Sequence, residues 1–444
     1  MTLDMTRGKP TWLLLRFALP MMVSSLLQQM YTLCDSFIVG RLLGTAAFAA
    51  TASASNLNWF PLNMLLGAVS GFGVSLAQSF GAGTREDFQR FFAGSILLSI
   101  VLGITFSVLG FAGAEFFLIQ LYTPAELLDF ALRYIRVLWI GFSVTAILNI
   151  FTSALLAMGD SKTPLVALAV SSAVNIVLDV ALIAWFHMDV EGAALATLLA
   201  QGAAAVWSFL GLCRRKNMLP RYSDFRPDRR IFKELLRLGL PQILCNGVTT
   251  SGELIIHAAV NSCGVAFVTG LTASHRYLNL LSVVNYGLEG AVATYVGQNW
   301  GAQQYDRIQM GTRCAVRMGI FASMATALTV CLLAEPMIRF FVPDAAAEAI
   351  RYGTEALQVQ AAFLPALYLL CEYRAAIRAM GNAVIPMFSG FLELAMRVGC
   401  TLLLPLLIGQ YGLYFTDAAA WVPTMLMLFG FYQLLRSKII RQKI

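Results

Sequence analysis

The stretch AMGDSKTP at residues 157–164 returns as AMGNAVIP at residues 379–386, an offset of 222. Working outward, LRFALP at 15–20 returns as LRLGLP at 236–241, offset by 221. QSFGA at 78–82 returns as QNWGA at 298–302, and AEFFLIQLY at 114–122 as AEPMIRFFV at 334–342, both offset by 220. Four motifs holding one offset to within two residues imply an internal duplication of the whole chain. Between these markers the chain is apolar. Of its 444 residues 58% are hydrophobic and only 12% charged, whereas an ordinary soluble domain carries about twice that share of charge.

Hydrophobic runs of eighteen or more residues recur from end to end, each long enough to cross a hydrocarbon core of about 30 Å as a helix. They place spans near 11–39, 50–79, 91–119, 127–157, 164–186 and 192–213, then near 231–261, 265–299, 311–341, 346–379, 384–408 and 414–436. The first run begins after Arg7 and Lys9 and continues past Asp35 to Val39. It is too long and too polar for a cleaved signal segment and is expected to remain as the first span. The reading is an all-α polytopic membrane protein with twelve transmembrane helices in two pseudo-symmetric six-helix bundles. Residues 1–215 form an amino-terminal lobe, 216–230 a basic cytoplasmic linker, and 231–444 a carboxy-terminal lobe. Because each half holds an even number of spans, the second re-enters the membrane facing the same way, and a central cavity between the lobes is expected.

The net charge of +7 does not point to nucleic acid, because the basic residues are distributed by loop and not clustered with aromatics. Arg85 and Arg90, Lys162, the run 214–230, Arg307 and Arg313, Arg374 and Arg378, and the tail from Arg436 fall in alternate connections. The opposite connections after Gly44, Met188, Asn261 and Gly409 hold no lysine or arginine. The positive-inside rule then places both termini in the cytoplasm of a cell with the chain in its plasma or inner membrane. Eight cysteines lie singly along apolar segments without a C-x-x-C or a histidine at ligand spacing, and read as small packing residues.

An ionisable side chain at mid-bilayer costs about 2.5 to 3.5 kcal/mol on insertion scales, so each needs a partner or a purpose. In the first span, Gln28, Tyr31 and Asp35 share one helix face by their spacing. The fifth span carries Asn175 and Asp179 four apart, and the sixth carries Thr197. Carboxylates, an amide oxygen and a hydroxyl in a low-dielectric lobe suit Na+, a hard cation, as a metal ligand set of Asp35, Asn175, Asp179 and Thr197. They suit a proton equally well, since two neighbouring acids in an apolar site can share one. The rival reading makes the acids hydrogen-bonded glue between helices.

Adding the repeat offset to these positions finds Ile256, Arg397 and Thr401, so the second lobe is not expected to hold the same cation. It carries Glu253 and His257, Glu289, Glu372, and Glu393 with Arg397 four residues on, a pair spaced to neutralise each other. Candidate cavity or substrate residues are Gln28, Tyr31, Asn149, Glu253, His257, Tyr277 and Glu289. Aromatic and thioether side chains such as Tyr277, Tyr286 and Met324 suit a pliable pocket for flat organic cations, or ordinary packing. Pro20 and Pro241 each remove an amide donor inside a helix and are candidate bending points.

Together these motifs resemble the multidrug and toxic compound extrusion (MATE) transporters. The resemblance rests on the LP near the start of each half, YTLCDSFIVGRLLG in the first span, QSFGAG and QNWGAQ, AMGDSKTP and AMGNAVIP, and NIVLDVALI in the fifth span. It covers essentially the whole chain. It implies a V-shaped pair of six-helix bundles that alternates between two openings and exports organic compounds against inward Na+ or H+ flow. It also implies that the chain is no enzyme, uses no cofactor beyond the coupling ion, and works as a monomer on small organic substrates in the lipid bilayer. Asp35, Asn175, Asp179 and Thr197 match the amino-lobe cation site of the DinF-like branch. The NorM-like branch uses a seventh-span acid nearer the proline than Glu253 is here. The alternatives are a flippase for a lipid-linked or polysaccharide precursor and, more remotely, an intramembrane enzyme, for which the chain carries no Ser-His dyad or H-E-x-x-H motif.

Overall fold

The computed structural model describes residues 3–121, 123–342 and 347–441. The helices of the first half are α1 (Pro10–Leu42), α2 (Thr45–Gly81), α3 (Arg85–Gln120), α4 (Ala125–Ile140), α5 (Phe142–Ala157), α6 (Lys162–Val180) and α7 (Val190–Cys213). The second half gives α8 (Arg229–Asn261), α9 (Val265–Leu281), α10 (Val283–Gly301), α11 (Tyr305–Phe341), α12 (Ala347–Ala362), α13 (Leu364–Ala379), α14 (Val384–Ile408) and α15 (Thr416–Arg441). Three pairs, α4 with α5, α9 with α10 and α12 with α13, follow one another across a single residue, so the described helices make twelve spans. Large apolar side chains such as Phe37, Phe321, Leu332, Leu406 and Leu407 stand more than two-thirds exposed, the surface expected where lipid is the solvent.

The helix breaks fall elsewhere than at the prolines singled out in the sequence. Helices α1 and α8 run unbroken through Pro20 and Pro241. The breaks lie at Gly141 between α4 and α5, 49°, and at Phe363 between α12 and α13, 47°. These two sites are 222 residues apart, the repeat offset. Pro365, the second residue of α13, has no N–H to donate to a carbonyl one turn back in α12, which removes a hydrogen bond across the second break.

The chain forms two compact units, and neither follows the 216–230 linker. One unit holds the residues up to Asp4 together with Val23–Ile243, and the other holds Met5–Met22 with Leu244–Ile444. Each unit therefore takes its leading helical segment from the other repeat. In the first unit, α2 packs against the opening of α8 through glycine. A Cβ on Gly67 would sit 2.5 Å from the Gln242 carbonyl oxygen, and one on Gly71 2.5 Å from that of Leu238. In the second, Gly287 of α10 meets Met22 and the Ala18 carbonyl of α1. Gly67 and Gly287 are 220 residues apart, so the duplication is legible in the packing itself. Small residues let membrane helices approach where no hydrophobic effect drives them together.

The turn motifs are anchors. In the second unit, the QNWGA turn holds the leader: Met5 N donates to Gln298 Oε1 (2.9 Å), and Asn299 Nδ2 and Arg307 Nη2 donate to the Met5 carbonyl (both 3.1 Å). In the first, Gln89 Nε2 of α3 donates to the carbonyls of Asn217 (3.1 Å) and Leu219 (2.7 Å) in the linker. Asp160 of AMGDSKTP is buried. Its Oδ1 accepts the Lys162 and Thr163 amides at 3.1 Å, and its Oδ2 accepts the Thr163 hydroxyl at 2.6 Å and Arg215 Nη2. These are amides left without partners at the start of α6. Asn382 repeats the cap at α14, accepting the Ile385 amide at 3.2 Å. Burial alone would push the Asp160 carboxyl up, but the Thr163 hydroxyl and amide and the Arg215 guanidinium outweigh it and hold the pKa below its ordinary value.

Gly71→Ala is expected to lower the thermal unfolding midpoint in detergent by the equivalent of about 1 to 3 kcal/mol of overpacking. Gly202→Ala, where an added methyl meets nothing within 4 Å, is expected to leave it unchanged; equal midpoints for the two would remove the α2–α8 contact from this account. Asp160→Asn keeps the caps and loses the ion pair, an expected cost of about 3 kcal/mol at neutral pH. Because the folded pKa is depressed, that contribution is present above the unfolded value of about 3.9 and lost as pH falls through the folded one. The difference in midpoint between the parent and Asp160→Asn is expected to hold from pH 8 to about pH 5 and to close below about pH 4.

Candidate cation and substrate site

Helical spacing sets the site's two walls. On α1, Tyr31 and Asp35 are four residues apart; on α6, Asn175 and Asp179 are four apart, and both pairs lie one turn above the other. Two residues beyond Asp179, α6 widens into a π turn over Ala181–Trp185, a local departure frequent at functional sites. The first unit brings these walls together. The Asp35 and Asp179 carboxyls lie within hydrogen-bonding range of each other, and the Tyr31 hydroxyl donates to Thr197 Oγ1 of α7 at 3.5 Å.

The site is short of donors. Asn175 and Asp179 have no exposed surface. Asp35 Oδ1, both Asp179 oxygens and both polar atoms of Asn175 are buried without a hydrogen-bond partner among the described residues. Nor does either acid have an ion-pair partner there. Two ionised carboxylates only accept, so the one hydrogen bond open to Asp35 and Asp179 requires a proton on one of them.

Asp35 opens onto a cavity of about 160 Å³ walled by Tyr31 and Thr32 of α1, Ser55 and Asn58 of α2, Tyr134 and Leu138 of α4, Phe142 and Thr145 of α5, and Thr197 and Gln201 of α7. Its walls are held by polar pairs. Trp139 Nε1 donates to Asn58 Oδ1 at 2.9 Å, Thr145 Oγ1 to Gln201 Oε1 at 2.5 Å, and Tyr134 bonds to Ser55. Sequence reasoning missed Ser55, Asn58, Tyr134, Thr145 and Gln201. A signal existed in the four-residue spacing of Thr197 and Gln201 in an otherwise apolar span.

Other expected residues fall elsewhere. Gln28 is exposed and does not line this cavity. Asn149 is half-buried and its Nδ2 donates to the Thr145 carbonyl at 2.8 Å. Tyr277 serves packing, its hydroxyl donating to the Met337 carbonyl at 2.7 Å and its ring edge-on to Phe341. The side chain of His257 lies outside the described residues.

In the second unit the expected Glu393–Arg397 pair does not form. Arg374 Nη2 takes Glu393 Oε1 at 2.8 Å, while Arg397 faces Asp417 at 3.3 Å and Glu253 at 3.9 Å. Partners from α13 and α15 give buried guanidinium groups better approach than a neighbour one turn along the same helix. Arg378 pairs with Glu289 at 3.3 Å. Acids here are matched by fixed cations, except Glu372, which is fully buried against Gly319 with both oxygens unpartnered among the described residues.

A bundle of spans enclosing a small cavity with unpartnered acids has the build of a membrane transporter. The MatE family model matches residues 20–181 and again 241–402, one copy per half, and the chain belongs to that family, the multidrug and toxic compound extrusion transporters. Members of the family are transporters and not enzymes. The chain is 28% identical over 378 residues to the probable multidrug resistance protein YpnP of Bacillus subtilis, spanning 85% of this chain and 84% of that one. It is 24% identical over 385 residues to the probable multidrug resistance protein NorM of Thermotoga maritima, spanning 86% and 82%. A crystal structure of MATE in the bent conformation shares the fold, with a TM-score of 0.91 over 99% of this chain and 98% of that one, at 22% identity.

A buried polar group without a partner costs about 1 to 3 kcal/mol. Asn175→Leu is therefore expected to raise the unfolding midpoint in buffer free of alkali cations; a fall would show that Asn175 is satisfied in the folded protein.

Proposed function

We propose that this chain is a secondary antiporter that exports small amphipathic organic cations in exchange for H+ or Na+ by alternating access. The coupling ion binds among Asp35, Asn175, Asp179 and Thr197, and the organic compound occupies the adjoining cavity. The single observation that carries this reading is the set of buried acceptor oxygens on Asp35, Asn175 and Asp179 that have no donor among the described residues. A proton shared between the two carboxyls answers part of that demand directly; Na+ answers it through oxygen coordination. The tyrosines and Phe142 around Asp35 give an aromatic wall that attracts flat cations.

Coupling follows from differential binding alone. An ion that binds Asp35 and Asp179 more tightly in one conformation shifts the population toward it. Ion entry and occupation of the cavity by an organic cation then compete for the same acidic charge, so each displaces the other. Basic connections on one face support a plasma or inner membrane location with both termini in the cytoplasm.

The test uses proteoliposomes with a pH gradient and a sodium gradient imposed separately, reading uptake of fluorescent organic cations. One of the two gradients is expected to drive uptake, and Asp35→Asn to reduce it to the level of protein-free liposomes while the protein reconstitutes normally. Full uptake by Asp35→Asn would refute the coupling role, and no uptake of any cationic dye under either gradient would refute the cargo class.

A further inference from the structure

The basic linker does more than cross between halves. It folds back on α3 and, with the start of α8, encloses a cavity of about 410 Å³. Arg90 of α3, Arg226 of the linker and Arg229 of α8 contribute to its wall, and all three are exposed. The two acids in the same wall are engaged with backbone. Asp224 Oδ2 accepts the Arg221 amide at 2.7 Å, and Asp228 Oδ1 accepts the Arg230 amide at 2.8 Å. Over residues 213–233 the chain carries eight lysines and arginines against these two aspartates, and among the described side chains Arg215 is drawn away, to buried Asp160.

The rest of the wall is apolar. Leu97 of α3 and Ile231 and Phe232 of α8 line it. Beneath them the helices nearly touch, since a Cβ on Gly94 would lie 2.9 Å from Ile231 Cγ2. The cavity thus sits where two membrane-spanning helices begin, at the depth where hydrocarbon gives way to headgroups, with guanidinium groups around an apolar floor. A soluble anion has no use for that floor. A phosphodiester with an attached glycerol and acyl chain uses both parts.

We propose that this cavity seats the phosphate headgroup of an anionic phospholipid, with Arg90, Arg226 and Arg229 as donors and Leu97, Ile231 and Phe232 against the glycerol and first acyl carbons. Guanidinium groups suit phosphate by their paired donors, and basic clusters next to a membrane helix attract anionic lipid. A bound lipid would pin the linker to α3 alongside the Gln89 anchor.

The test is native mass spectrometry of the full-length protein in detergent with added phosphatidylglycerol or phosphatidylcholine. One phosphatidylglycerol is expected to be retained preferentially. Removing one arginine is expected to weaken retention about fivefold and all three about a hundredfold. A control with Arg214, Arg221 and Lys233 changed to Gln loses the same charge outside the cavity wall and is expected to retain the lipid as the parent does. Arg226→Gln alone changes an exposed linker side chain, so it remains informative if the triple variant does not fold. Equal retention of both lipids, or equal loss in the two triple variants, overturns the proposal. Displacement of the lipid by millimolar inorganic phosphate would assign the arginines to a soluble anion and overturn it too.

Discussion

Two carboxyls held together in a low-dielectric bundle, with no base beside them, are the constraint around which the amino-terminal unit is arranged. Neither Asp35 nor Asp179 has a cation among the described residues, and Asn175 on the same face as Asp179 adds two more unpartnered atoms. Such an arrangement is costly in hydrocarbon, so it persists only because the surrounding helices fix it. They do so through the Tyr31–Thr197, Thr145–Gln201 and Trp139–Asn58 bonds, which hold the walls while leaving the acids unanswered.

The carboxy-terminal unit solves the same problem in the opposite way. Arg374, Arg378 and Arg397 stand opposite Glu393, Glu289 and Asp417, so those acids are met by side chains that cannot leave, while Glu372 is left without a partner among the described residues. The two repeats thus differ in how their buried acids are met, although both descend from one pattern of turns, caps and glycine contacts. The likeness is preserved where backbone geometry is at stake, as at Gly67 and Gly287 or Asp160 and Asn382. It is lost where charge is at stake.

Much of this was legible along the chain. Hydropathy and the repeat offset gave twelve spans, and the four-residue spacings gave the Tyr31–Asp35 and Asn175–Asp179 faces, because a helix fixes which residues share a side. The same rule failed at Glu393 and Arg397. Their spacing is right for a local pair, but an intrahelical pair is worth only about 0.2 to 0.5 kcal/mol, and buried charges took closer partners from other helices. Tyr277 and Gln28 were aromatic and polar in suitable spans, yet rotation about the helix axis turned one into packing and the other away from the cavity.

What the sequence determined by itself was periodic or local: helices from hydropathy, the duplication from its offset, and an excess of buried acid in the first half. What only the tertiary structure decided was adjacency between distant segments: that the openings of α1 and α8 pack with the other repeat, that the chain breaks at Gly141 and Phe363 and not at Pro20 and Pro241, and that Asp35 faces Asp179. The physical reason is that a helix prescribes its own faces every 3.6 residues. Which face meets which is settled by close packing of small residues summed over the whole bundle, and no local stretch carries that sum.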